Sequence, residues 1–329
     1  METTAELDIG RELLYLSGAD VEACAVSAGD MNDAVEAALA AKVAGRARTR
    51  PKLNIRQPDG SSFRAKAGVL DDAGYAAIKW FGYFPGNGAR GAPDFHPLVM
   101  VNETRTGLPV AMMDGVWLSG QRTAAFSAVA AKRLARAESE TLGFVACGRQ
   151  ARCNLAALRA EFPIRRVIAC SRRRETAERF AAEVREQGLE AVVTETPREV
   201  VSGADIVITS VPHAAIETPF LDAAWLAPGA FVSMVDLGFS WKAETIRGLD
   251  IVAVDDIEQS LPGGPEPLNF IGEYDAELGD IVAGHAVGRS DAVQRTGFIF
   301  SGIGLGDTAA AALILDRAIE LGLGTRLPL

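Results

Sequence analysis

A chain of 329 residues, 48% of them hydrophobic and 33 of them glycine, is too long for one small core and implies a large α/β domain or two medium ones. A formal charge of −10 argues against nucleic acid as a partner, because neutralising phosphates needs a basic face. No apolar run reaches the roughly 18 residues of a membrane span.

The opening Met-Glu-Thr-Thr-Ala-Glu lacks the basic-then-apolar order of a signal peptide, so a cytoplasmic location is expected. Residues 12–17 alternate enough for a first strand, and 30–43 place alanine, leucine and valine at helical spacing. Segments 50–55, 63–69 and 76–83 read as strands separated by the turn Pro58-Asp59-Gly60. After a loop at 85–91, two more strands, 98–102 and 109–114, flank Thr106-Gly107. Several strands with one helix predict an α+β first domain.

From Gly120 the pattern changes to alternation. Helices are expected at 123–136, 150–161 and 173–187, with a short one at 197–202. Strands are expected at 141–146, 166–171, 191–194, 204–210, 231–235 and 251–254. Repeated βα units with unbroken apolar strands predict a parallel sheet covered on both faces. A last helix, 308–321, returns toward the first domain. The expected fold is α/β: a Rossmann-type dinucleotide-binding domain over 120–304, and an α+β domain formed by 1–119 with 305–329.

Cys24, Cys147, Cys153 and Cys170 show no CxxC spacing, and His96, His213 and His285 are far apart. Free thiols and no metal site are expected.

The run from Thr141 to Arg152 is an altered dinucleotide fingerprint. In the G-x-G-x-x-G/A pattern the first glycine makes the turn, the second lets backbone approach the pyrophosphate, and the third keeps the helix close to the strand. Here those places hold Ala146, Gly148 and Ala151; a positive φ at Ala146 would be costly. NAD enzymes usually end the next strand with a carboxylate for the ribose 2′-OH, whereas NADP enzymes place arginine there. This chain has Ser171-Arg172-Arg173-Arg174. Three cations at a helix N-terminus oppose its macrodipole unless an anion sits among them, although such a run can also be a solvated surface. NADP(H) is therefore favoured over NAD(H), with Gly148, Arg149, Gln150, Ser171, Arg172, Arg173, Ser210 and Val211 as candidate cofactor contacts.

Four further segments carry a resemblance. The run from Ala77 to Asn87, Ala-Ile-Lys-Trp-Phe-Gly-Tyr-Phe-Pro-Gly-Asn, resembles the lysine-bearing segment of the ornithine cyclodeaminase/mu-crystallin family. Gln121-Arg-Thr-Ala-Ala-Phe-Ser-Ala-Val-Ala-Ala-Lys-Arg-Leu-Ala135 is similar to that family's most recognisable helix. Gly148-x-Gln-Ala resembles its GxGxQA turn, and Gly302-Ile-Gly-Leu-Gly-Asp307 its C-terminal G-x-x-x-x-D. The resemblance implies a homodimer built through the first domain, with an imino or amino acid substrate held between the domains against the nicotinamide.

It also implies site residues. Arg50 and Arg122 would hold the substrate carboxylate, with Lys79 beside the reacting centre as contact or proton donor. Lys79 is a charge in an otherwise apolar strand, and Arg122 at a helix start is badly placed for the dipole. Arg122 and Thr123 would also meet the cofactor phosphates at a helix N-terminus. Lys66 lies where many relatives carry an apolar residue; it is either a second pocket cation or a surface lysine. Cyclodeaminases place a catalytic aspartate where this chain has Gly238, and Asp236, two residues earlier, either replaces it or braces the loop. That departure and the arginines favour NAD(P)H-dependent reduction of a 2-imino acid or cyclic ketimine to an amino acid. The alternatives are an ornithine or lysine cyclodeaminase releasing ammonia and a non-catalytic, crystallin-like NADPH-binding protein. Selectivity for the substrate side chain is expected from loops 85–96 and 261–274.

Overall fold

The computed structural model describes residues 7–261, 268 and 272–329. Most of the expected selectivity loop 261–274, and the first six residues, therefore lie outside the described residues. The described residues divide into two compact units: 7–122 and 302–329 form the first, 123–261, 268 and 272–301 the second. The boundary falls inside one helix, Val116–Leu134.

In the first unit one mixed sheet runs in the order Thr325–Pro328, Glu12–Leu16, Pro109–Asp114, Phe95–Glu103, Tyr75–Tyr83, Ser62–Leu70, Ala47–Thr49, with Leu53–Arg56 also pairing Ser62–Leu70. The pair Glu12–Leu16 and Pro109–Asp114 is parallel and the others are antiparallel. Period-two alternation sends Val99 and Val101 inward, fully buried, and leaves Leu98 and Met100 about two-fifths exposed. The buried face carries the helix Gly304–Leu321. A Cβ at Gly304 would lie 2.3 Å from the Ala67 carbonyl oxygen, and one at Gly68 would lie 2.8 Å from Thr308 Oγ1. Glycine at both places lets helix and strand backbones touch.

The second unit holds eight parallel strands in the order Glu190–Val193, Arg166–Cys170, Thr141–Val145, Ile206–Thr209, Phe231–Met234, Thr296–Ile299, Ile251–Val254, Ala276–Glu277. The first four positions place the chain's third, second, first and fourth strands of this unit side by side. That order reverses direction next to Thr141–Val145, the switch point of a Rossmann-type sheet. Strands such as Ile206–Thr209 are buried at every position, as a sheet covered on both faces requires. The fold is α/β, comprising a Rossmann-type unit and an α+β unit. No helix among the described residues is long and apolar enough to cross a membrane.

Several boundaries differ from the sequence expectation. The strand expected at 50–55 is two strands, Ala47–Thr49 and Leu53–Arg56, because Pro51 has no N–H for the ladder. The helix expected from 123 begins at Val116, and the one expected from 308 begins at Gly304. The short helix Gly18–Ala23, closed by a capping box between Ser17 and Asp20, was not anticipated, nor was the interior strand Thr296–Ile299.

Candidate active site

Two groups of candidate residues stand out among the described residues, one in each unit.

In the second unit a cleft of about 540 Å³ opens at the switch point, between the ends of Thr141–Val145 and Ile206–Thr209. Ala146 turns the chain out of its strand with φ +75°, so alanine adopts the left-handed conformation that the missing glycine would have taken without strain. Gly148 caps the next helix with no side-chain partner, and a Cβ there would meet nothing within 4 Å. Backbone and the first-turn N–H groups of Arg149–Arg159 are thus open to an anion. Ser171 accepts the Cys147 N–H (2.9 Å), tying the second strand to this turn.

Of the candidate cofactor residues, Gly148, Ser171, Arg172, Arg173, Ser210 and Val211 all line this cleft. Arg149 and Gln150 open the adjacent helix and are not among its lining residues. The three arginines divide. Arg174 is engaged by Glu178 (2.8 Å) and Glu195 (2.5 Å), which answers its own conflict with the dipole. Arg172 and Arg173 have no ion-pair partner among the described residues. An open glycine turn, a helix start without a cap and two uncommitted guanidinium groups fit a dinucleotide.

Asp236 lies beneath this cleft, 8% exposed. Its carboxylate accepts from Thr209 Oγ1 (3.0 Å), Ser240 Oγ (2.7 Å) and the Val211 N–H (3.3 Å). Burial pushes its pKa up, and these bonds hold it back. Leu237 and Gly238 follow with φ of +61° and +76°. Of the two roles weighed for Asp236, the contacts built around it are those of a loop brace.

In the first unit a charged cluster is buried on the helix-covered face of the sheet. Lys79, 1% exposed, donates to Asp307 Oδ1 and to Ser119 Oγ (3.1 Å). Arg122 Nε lies 2.9 Å from the same Asp307 oxygen. The fold brings these side chains together in three steps. Cross-strand register places Lys79 opposite Lys66. The glycine contact at Gly304 sets Asp307 in the first turn of its helix. Ser119 and Arg122, three apart on one helix, share a face.

Lys66 and Lys52 complete the cluster at 7% and 6% exposed. Burial first, then the charge of Arg122, brings the Lys79 pKa down from 10.5 to about 7, with Asp307 opposing. Burial would raise the Asp307 carboxyl, but Arg122, Lys79 and Lys66 outweigh it and hold it below its ordinary value.

Three expectations are corrected here. Arg50 is exposed, in the break between two strands; the buried cation of that stretch is Lys52, two residues on. Arg122 and Thr123 do not stand at a helix N-terminus, since the helix begins at Val116. The dipole argument for both therefore fails: Arg122 answers Asp307, and Thr123 is a helix-interior residue, 4% exposed. Lys66 is buried, which removes its surface reading. Asp307 and Ser119 had been given no role. The signals were present: a lone carboxylate in a glycine-and-alanine helix start, and a serine one turn before Arg122.

The ornithine cyclodeaminase/mu-crystallin family profile matches residues 12–322. The chain belongs to this family. The alanine dehydrogenase of Archaeoglobus fulgidus is 31% identical over 329 residues, covering 96% of this chain and 98% of its own. An archaeal alanine dehydrogenase dimer with bound NAD superposes with a TM-score of 0.85 at 29% identity, over 96% of this chain and 99% of the other. The Δ1-pyrroline-2-carboxylate reductase of Thermococcus litoralis, solved with NADH and L-proline, gives 0.86 at 27% identity, over 95% and 99%. Both of these solved neighbours hold a nicotinamide dinucleotide, NAD in the first and NADH in the second.

Proposed function

We propose that this chain is an oxidoreductase that reduces the C=N bond of a 2-imino acid or cyclic ketimine to the corresponding amino acid, using NADP(H) in preference to NAD(H). The observation that carries the reading is the buried cluster of Lys79, Asp307 and Arg122. The reduced nicotinamide, when bound, supplies hydride to the imine carbon. Imine nitrogen must gain a proton in the same reaction, and Lys79, with its pKa near neutrality, is suited to give it. Arg122 and the cluster's positive charge receive the substrate carboxylate. Asp307 holds both cations in place.

The preference for NADP(H) rests on Arg172 and Arg173 lining the cleft, with Ser171 rather than a carboxylate following the strand Arg166–Cys170; Glu195 also lines the cleft but is engaged by Arg174. Ser171 can donate its hydroxyl to the same phosphate. A reductive role in the cytoplasm follows from that pool being kept reduced. The apolar outer face of the first sheet, with Trp80 stacked on Phe63 at 5.9 Å beside Leu98 and Met100, supports a homodimer formed through this unit.

Titration of both reduced cofactors into wild type and Arg172→Ala, with NADPH oxidation assayed on Δ1-pyrroline-2-carboxylate, Δ1-piperideine-2-carboxylate and 2-oxo acids with ammonia, tests this. A charge-assisted contact of about 1.5–3 kcal/mol means a loss of roughly 10- to 100-fold in NADPH affinity and none for NADH. Unchanged NADPH affinity overturns the cofactor assignment. Failure to oxidise NADPH with any imine, or ammonia release from a diamino acid without net cofactor change, overturns the reductase.

A further inference from the structure

Besides Lys52, Lys66 is the member of the cluster that the reaction above leaves without work. It is 7% exposed and makes no hydrogen bond or ion pair among the described residues. It stands directly opposite Lys79 in the sheet, where facing side chains have Cβ atoms about 5 Å apart. Their strands send both onto the helix-covered face. Its charged neighbours are Lys52, Arg122 and Lys79, with Asp307 as the single opposing carboxylate. Asp307 already holds Lys79 and Arg122 through one oxygen. A buried ammonium with no partner beside three other cations is costly, and a cross-strand lysine pair is destabilising unless an anion lies between.

We propose that Lys66 receives a second carboxylate of the substrate, so that the site prefers 2-imino dicarboxylic acids to monocarboxylic ones. This rests on the reductase reading and narrows its substrate class. The geometry gives the two carboxylates different hosts: the one next to the C=N carbon meets Arg122, and the distal one meets Lys66. Lys79, cross-strand from Lys66 and sharing Asp307 with Arg122, stays with the reacting centre. Chemistry at the C=N bond is unchanged. A bound reduced nicotinamide would supply hydride to the carbon, and Lys79 the proton to the nitrogen. Burial and the neighbouring cations push the Lys66 pKa well below its ordinary value in the ligand-free protein, so a second carboxylate also restores the charge that would hold it.

Two measurements on the cofactor-loaded protein, wild type and Lys66→Met, decide the matter. Melting temperature is read with succinate or glutarate against butyrate or valerate. The ratio of kcat/KM is read for oxaloacetate or 2-oxoglutarate with ammonia against pyruvate or 2-oxobutyrate with ammonia. The dicarboxylates should raise the wild-type Tm more than the monocarboxylates, and the variant should lose that difference. The dicarboxylate-to-monocarboxylate ratio should fall at least tenfold in Lys66→Met. Methionine removes an unpaired buried charge, so the ligand-free variant should melt no lower than wild type. Equal Tm responses in both proteins, an unchanged ratio, or a wild-type preference for monocarboxylates overturns the proposal while leaving the reductase standing. Absence of turnover with every acid, and with the cyclic imines as well, overturns the reductase alone, and the Tm comparison then decides the role of Lys66.

Discussion

Replacing Lys79 by methionine tests the electrostatics and the chemistry together. Lys79 is fully enclosed, with a folded-state pKa brought from 10.5 to about 7. At about 1.4 kcal/mol per unit, protonating it in the fold costs on the order of 5 kcal/mol more than in the unfolded chain. Because the folded value is the lower one, the unfolded chain binds more protons between about pH 7 and 10.5. Stability therefore rises with pH across that window. From near pH 7 to near pH 9 the lysine alone accounts for about 2 kcal/mol of increase. Urea unfolding of wild type and Lys79→Met at the two pH values should show the wild type gaining that much relative to the variant. The same variant should lose roughly 10²- to 10⁴-fold in kcat/KM, the scale of a missing general acid, and with it the fall in rate as pH rises past neutrality. A wild-type-minus-variant stability difference that stays flat with pH refutes the depressed lysine. A variant that retains its rate refutes its proton-donor role.

Ala146→Gly should stabilise the protein by up to about 1 kcal/mol, since φ +75° is strained for alanine and natural for glycine; calorimetry should find Tm higher by about 2 °C, and a lower Tm would contradict the turn geometry. Trp80→Glu combined with Met100→Glu places charge on the outer sheet face, where both residues are more than two-fifths exposed; light scattering after gel filtration should find single chains in place of dimers, and an unchanged dimer would move the interface elsewhere.

The parts of the site legible in the sequence were those where a residue contradicts its surroundings. Lys79 stood out as a charge in an apolar strand, and the arginines as cations at a helix start. The fingerprint was readable from Gly148 and the strand–turn–helix pattern even with alanine in first place. The starts of two helices were less legible: Val116–Leu134 and Gly304–Leu321 begin before the expected 123 and 308. At Gly304 the Ala67 backbone leaves no room for a Cβ, a tertiary demand that keeps glycine there despite a helix propensity penalty of about 1 kcal/mol. Around Arg50 and Lys52, Pro51 splits one expected strand into two. The pairings of Gly304 with Ala67 and of Asp307 with Lys79 join residues far apart in the chain, so the sequence shows the residue types and not their contacts.

The cluster's arrangement also decides which of its members changes charge near neutral pH. Asp307 lies in the first turn of Gly304–Leu321, where the helix dipole favours an anion, and three cations surround it. It therefore remains a carboxylate. Lys79 has that one carboxylate in its favour and burial, Arg122 and Lys52 against it, so the proton that comes and goes near neutrality is the lysine's. A group that is half charged at working pH can donate to the imine nitrogen and be recharged from solvent with little free-energy cost in either direction. An arginine at position 79 could not do this, because guanidinium does not release its proton, and an unperturbed lysine would hold its proton too tightly. The burial that weakens the fold at this point is thus what gives Lys79 the acidity the reduction needs.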